Sequence, residues 1–211
     1  MEPRGIGAYK KYKKYKKKYV TLKQQLNSNY YLLHGTDTEH LKKILQQGFI
    51  LSGRYLPDDE TRLGGWEKLP YVYCSIYFDD IKNLSHSFGY SFIIDPRIIW
   101  DSGMIFNKGW MVHPTNDSII IRPHDVDYDN KINSIKEYIK NPPGPITNLP
   151  PIMAHEVLIK DKIDVRKYVV GLILPGFEGI GNDIQKILEE GGYKNIKIFH
   201  KPNLPNAKEL I

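Results

Sequence analysis

The sequence predicts an α+β fold. Its strand-like segments are short, they mix with helices in no regular alternation, and few strand–helix–strand units exist to build a parallel sheet. A length of 211 residues with 41% hydrophobic content suffices for one core with an appendage. The division expected is residues 1–28 as the appendage and 29–211 as the folded domain.

The appendage opens on "YKKYKKYKKKY", Tyr9 to Tyr19, with seven lysines and four tyrosines in eleven residues. On a helical wheel Tyr9, Tyr12, Tyr15, Tyr19, Leu22 and Leu26 fall within an arc of about 140°. No proline or glycine interrupts Ala8–Leu26. The pattern is that of a basic amphipathic helix. Its stripe suits packing on the domain. Lys10, Lys11, Lys13, Lys14, Lys17 and Lys18 suit contact with DNA or RNA phosphates, and tyrosines can stack on bases. The two roles are compatible.

"NYYLLHGT" (Asn29–Thr36) is an apolar strand ending in a polar corner. Asp37 or Thr38 caps the following helix, Leu41, Ile44 and Leu45 form its buried stripe, and Gly48 ends it. Residues 53–70 are a long polar loop punctuated by Gly and Pro. "YVYCSIYF" (Tyr71–Phe78) alternates: Tyr71, Tyr73, Ser75 and Tyr77 share one face, Val72, Cys74, Ile76 and Phe78 the other. "DDIKNLSHSF" reads as a short helix and "YSFIID" as a strand stopped by Pro96. "DSIIIR" is a further strand. Ile132, Ile135, Tyr138 and Ile139 mark a helix ending before Pro142. A proline-rich loop (141–151) leads into the strand "AHEVLI" (Ala154–Ile159). "YVVGLIL", the helix "NDIQKILEEGGY" and the strand "NIKIFH" close the chain.

Composition removes several classes of function. No apolar run reaches about 18 residues, so no membrane span is expected. The start lacks the apolar core of a signal peptide. One cysteine, Cys74, excludes an internal disulfide and a multi-cysteine zinc site. An intracellular setting, cytoplasmic or nuclear, is expected. The net charge is +6, and nine of the 30 basic side chains lie in residues 1–23 against one of the 24 acidic ones. The high pI therefore belongs to the appendage, and the domain is nearly neutral. Abundant Lys, Ile, Tyr and Asn suit an A/T-rich coding genome, as in some viruses and parasites.

Motifs narrow the chemistry further. "GFEGIGN" (Gly176–Asn182) has the spacing G-x-x-G-x-G, not the dinucleotide fingerprint, and reads as a turn. No phosphate-binding G-x-x-x-x-G-K-[ST] loop is present. The seven histidines include no H-E-x-x-H, and His34 and His40 make a poor metal pair, so no metal is expected. Three strand positions remain: His34 ending "LLHGT", the Tyr73–Ser75–Tyr77 face, and Glu156 in the apolar "AHEVLI". A carboxylate in such a strand is costly unless paired, hydrogen-bonded or solvated, which marks Glu156 as a site candidate.

In this order the segments resemble the signatures of the ADP-ribosyltransferase superfamily, in its poly(ADP-ribose) polymerase-like branch. "YYLLHGTDTEHLKKILQQGF" resembles the first, a strand ending in His-Gly-Ser/Thr before a helix. "SIYFDDIKNLSHSFGY" resembles the second, and "AHEVLIKDKIDVRKYVVGLIL" the third. The resemblance covers most of residues 29–175. The terminal strand–helix–strand is similar to that of the DNA-modifying ADP-ribosyltransferase toxins. It implies a split β-sandwich of two small, mainly antiparallel sheets with flanking helices, and an NAD-dependent ADP-ribosyltransferase that releases nicotinamide.

The resemblance also assigns roles. His34 would bond the adenosine ribose of NAD, the Gly35 backbone the nicotinamide amide, and Thr36 would add a hydroxyl. Tyr77, or Tyr73 on the same face, would stack on the nicotinamide ring, with Tyr90 on its other side. Ser75 lies on the tyrosine face, and Ser85 would contact the amide. Glu156 would be the catalytic carboxylate. NAD is then the substrate, with no metal, and the acceptor a protein or nucleic acid. The sequence departs from the pattern where Cys74-Ser75 replace a glycine, and where Ala154 replaces the Gln or Glu of the arginine-modifying branch. His155 is expected to face the acceptor. Single transfer is the expected outcome. Transfer of an RNA 2′-phosphate to NAD is the second reading, disfavoured by scattered arginines. A nucleic-acid-binding module with a degenerate NAD fold is the third.

Overall fold

A computed structural model describes residues 29–56, 69–81, 89–108, 114–141, 155–175, 178–200 and 205–210. The lysine–tyrosine segment and Ser85 lie outside these residues.

The first described element is β1 (Tyr30–Thr36), whose run of apolar residues is buried on both faces. Asp37 then caps α1 (Thr38–Gln47): its carboxylate accepts from the His40 amide at 2.9 Å, satisfying a helix N–H that has no intrahelical partner. Gly48 ends α1 at φ 79°, the left-handed conformation that favours glycine. A Cβ at Gly48 would also sit 2.8 Å from the Arg166 guanidinium.

β2 (Phe49–Leu51) and a 3-10 turn (Gly53–Tyr55) follow. β3 (Tyr71–Phe78) alternates half-buried and buried residues as its sequence requires. After β4 (Tyr90–Ile94) come α2 (Arg97–Ser102), β5 (Met104–Asn107), β6 (Ile119–Ile121) and α3 (Tyr128–Lys140). β7 (Glu156–Lys160), β8 (Lys162–Asp164), the short α4 (Val165–Tyr168) and β9 (Val169–Leu174) complete the second half. The chain closes with α5 (Glu178–Glu190), β10 (Lys197–His200) and a 3-10 turn (Ala207–Glu209).

Eight strands form one sheet in the order β10-β9-β4-β1-β3-β7-β5-β6, and β2 pairs with β8 apart from it. The expected two sheets are thus joined, because β3 serves both halves. Its C-terminal half, Ser75–Phe78, pairs with β1; its N-terminal half, Tyr71–Cys74, pairs with β7. Beyond Leu33, β1 leaves β3 and continues against β4 as far as Thr36↔Tyr90. The sheet therefore parts between the end of β1 and the start of β3. Among the described residues β9 and β10 form the one parallel pair, spanned by α5.

Two apolar clusters hold the sheet. The larger joins Leu32, Ile76, Phe78 and Ile94 to Leu41 and Leu45 of α1 and to Ile132, Ile135 and Ile139 of α3. The smaller joins Tyr31, Leu33, Ile93 and Ile173 to Ala207 and Leu210. Asp79 fastens that C-terminal turn, its carboxylate accepting from the Ala207 amide at 2.8 Å.

One sequence expectation changes. α5 starts at Glu178, four residues before Asn182, so the glycines read as a turn lie partly within the helix. Ile184 and Leu188, buried one turn apart, anchor it. Among the described residues no helix is long and apolar enough to cross a membrane.

Candidate active site

The parting of β1 from β3 is where the candidate residues gather. His34 is the first residue of β1 past the shared ladder, and its Nδ1 lies 2.8 Å from the Tyr73 carbonyl of β3. A carbonyl only accepts, so Nδ1 carries the hydrogen and Nε2 of the neutral ring presents a lone pair. Burial holds the imidazole below its ordinary value, opposed by the bond to the Tyr73 carbonyl. The ring sits 6.4 Å from that of Phe92, its partner on β4. Gly35 and Thr36 continue β1 along the opening, with Tyr90 opposite Thr36 and itself buried in the main core.

Glu156 begins β7 and is 5% exposed. Its ladder partner on β5 is Asn107, 1% exposed. On the other side, Cys74↔Val157 is the last pair, so the next step sets Glu156 beside Ser75, which in turn pairs with Leu33 of β1. Residues opposite one another share a face. Asn107, Glu156 and Ser75 therefore form a polar row across three strands. Ser118 extends it: its hydroxyl donates to Asn107 Oδ1 at 2.7 Å and accepts from the Thr115 amide at 2.9 Å.

Tyr73 lies on this face, paired with Leu158. Tyr77 shares the face but stands four residues further along β3, about 13 Å at roughly 3.3 Å per residue. Its ring stacks on Tyr31 at 5.0 Å and packs against both apolar clusters. His34 Nδ1 reaches the Tyr73 carbonyl, and Ser75, with Tyr73 and Tyr77 each two residues away on its own face, lies beside Glu156.

His155 departs from expectation. One residue before Glu156, it projects to the opposite face by strand alternation. Its ring stacks on Phe106 at 5.4 Å and is 2% exposed, so it packs in the interior instead of facing an acceptor. His40 is bound to the Asp37 carboxylate at 2.9 Å. Cys74 is buried, which pushes its thiol far up and keeps it protonated. Among the described residues no group of three or more His, Cys, Asp or Glu is placed to hold a metal. Asn107 is the member that sequence reasoning missed. Its signal is a polar residue ending the apolar run "MIFN", readable only once β5 is recognised as a strand.

The model of a family of unknown function, DUF5846, matches residues 27–142. An uncharacterized protein of Acanthamoeba polyphaga mimivirus is 36% identical, over 96% of this chain and 84% of that protein. Among solved structures, DarT of Thermus sp. 2.9 in complex with carba-NAD+ superposes with a TM-score of 0.55 at 11% identity, over 83% of this chain and 97% of that one. The same protein in complex with ADP-ribosylated ssDNA gives 0.54 at 10% identity, over 82% and 94%. These likenesses show an ADP-ribosyltransferase-like fold.

Proposed function

The chain belongs to the DUF5846 family, and from the geometry of its site we propose that it is an NAD-dependent ADP-ribosyltransferase. It transfers one ADP-ribose unit to a protein or nucleic-acid acceptor and releases nicotinamide. The observation that carries this reading is the setting of Glu156. A buried carboxylate opens a strand within a polar row, beside the place where β1 leaves β3 and His34 crosses to the Tyr73 carbonyl.

In this reading NAD is the substrate and lies along the parting. His34 Nε2 accepts from a hydroxyl of the adenosine ribose. The Gly35 backbone, free of a side chain, pairs with the nicotinamide amide, aided by Thr36 and Ser85. Tyr73 stacks on the nicotinamide ring, with Ser75 beside it; Tyr90 borders the end of β1, and Tyr77 packs on Tyr31 further along the same face. The C1′–N bond breaks with its electron pair leaving on the nicotinamide nitrogen, and positive charge develops on the ribose. Glu156 accepts from the 2′-hydroxyl and stabilises that charge. The acceptor then bonds to C1′ and gives up its proton, with Glu156 oriented to take it.

A nucleic-acid acceptor is favoured. The fold is shared with a DarT solved with ADP-ribosylated ssDNA, and the chain carries Lys10, Lys11, Lys13, Lys14, Lys17 and Lys18 in one segment. Those lysines neutralise phosphates while the site acts on the strand.

The test is release of nicotinamide from labelled NAD, with single-stranded DNA, RNA and protein offered in turn. Label is expected on the polynucleotide. Glu156→Gln keeps the shape and removes the charge, and is expected to lower release by at least about a hundredfold while NAD still binds. Undiminished transfer by this variant overturns the assignment.

A further inference from the structure

We propose that Asn107 is a positioning residue for Glu156, with Ser118 setting the direction of its amide. The inference rests on the catalytic reading of Glu156 and adds to it a support that no motif of the sequence marks.

The geometry is that of one cross-strand row. Asn107 and Glu156 are opposite partners in the β5–β7 ladder, so their side chains rise from the same face with Cβ atoms about 5 Å apart. Both are buried, at 1% and 5% exposure. Asn107 Oδ1 is engaged by the Ser118 hydroxyl at 2.7 Å, and the Ser118 oxygen is itself engaged by the Thr115 amide at 2.9 Å. A flipped amide would take this acceptor from the Ser118 hydrogen. The amide of Asn107 is thereby fixed with Nδ2, its donor end, turned from Ser118. A carboxylate only accepts, so a donor fixed beside it selects both its ionised form and one rotamer. The alternative residue at this row, an aliphatic one as at Ile105 and Leu158, would bury the carboxylate against hydrocarbon. Among the described residues of these strands, Tyr71, Tyr73 and Tyr77 of β3, Tyr31 of β1 opposite Tyr77, and Lys160 at the far end of β7 are the titratable side chains sharing this face; β5 contributes none.

Asn107→Asp keeps the shape and the acceptor for Ser118 but sets a second carboxylate against Glu156. Ser118→Ala, at a half-buried position, frees the amide to turn. Three measurements follow on the full chain: nicotinamide release, NAD affinity by calorimetry, and titration of the Glu156 carboxyl carbon by 13C NMR. Asn107→Asp is expected to lower the rate constant about a hundredfold, to leave NAD affinity within about twofold, and to move the carboxyl midpoint up by about one pH unit. Ser118→Ala is expected to act in the same directions with about a tenfold loss of rate. The titration needs no turnover. A wild type that releases no nicotinamide removes the catalytic reading, while the midpoints still decide the positioning one. Folded variants with an unmoved midpoint overturn the proposal, and Ser118→Ala carries the test if Asn107→Asp does not fold.

Discussion

The bond from His34 Nδ1 to the Tyr73 carbonyl selects one tautomer of a half-buried ring, and that choice has a pH consequence. Burial lowers the folded ring's affinity for a proton below the ordinary value of 6.5, and the bond to the carbonyl only partly opposes it. As pH falls, the unfolded chain takes up the proton first. Stability is therefore fully present above about 6.5 and declines as pH drops toward the folded value. The same protonation converts Nε2 from acceptor to donor. The urea midpoint is expected to fall as pH drops below about 6.5, and NAD affinity to hold past that point and fall only as pH nears the lower folded value. In His34→Asn this part of the stability slope is expected to vanish. A wild-type midpoint that rises on acidification through this range contradicts the account.

Among the elements, β3 decides most. Its alternation is legible in "YVYCSIYF", because a half-buried strand must repeat every two residues. What alternation cannot tell is which of its two tyrosines meets the opening. That depends on where β1 leaves β3, a long-range register that ends at Leu33↔Ser75. His34, Glu156 and the Asp37 cap are legible because each is signalled by its immediate neighbours. Asn107 is not, because its meaning arises from pairing with a strand distant in sequence. The two tyrosines make separate predictions. Tyr77→Ala removes the stacked partner of Tyr31 and is expected to lower stability by roughly 2 kcal/mol, with NAD affinity unchanged. Tyr73→Ala is expected to weaken NAD binding instead. Calorimetry and denaturant unfolding of the pair separate the roles, and loss of NAD binding in Tyr77→Ala would return the stacking role to Tyr77.

Across the whole molecule, the positive charge and the candidate site occupy different parts of the chain. Residues 24–211, which include His34 and Glu156, are nearly neutral, and the positive charge is concentrated in residues 1–23. The α+β class was legible because short mixed segments leave few ways to build a parallel sheet. The joining of both halves through β3 was not, since nothing local to β3 states that it has a different partner at each end. If the lysines serve the acceptor and the split sheet serves NAD, removing residues 1–18 must separate two affinities. Loss of six phosphate contacts is expected to make the slope of log affinity against log salt shallower by about 4 for single-stranded polynucleotide, at about 0.7 per contact. NAD affinity and nicotinamide release without acceptor are expected to persist. Fluorescence anisotropy across a salt series, paired with calorimetry for NAD, measures both. Loss of the fold on deletion would instead assign the Tyr9–Leu26 stripe to packing, and an unchanged salt slope would move the acceptor surface onto the domain itself.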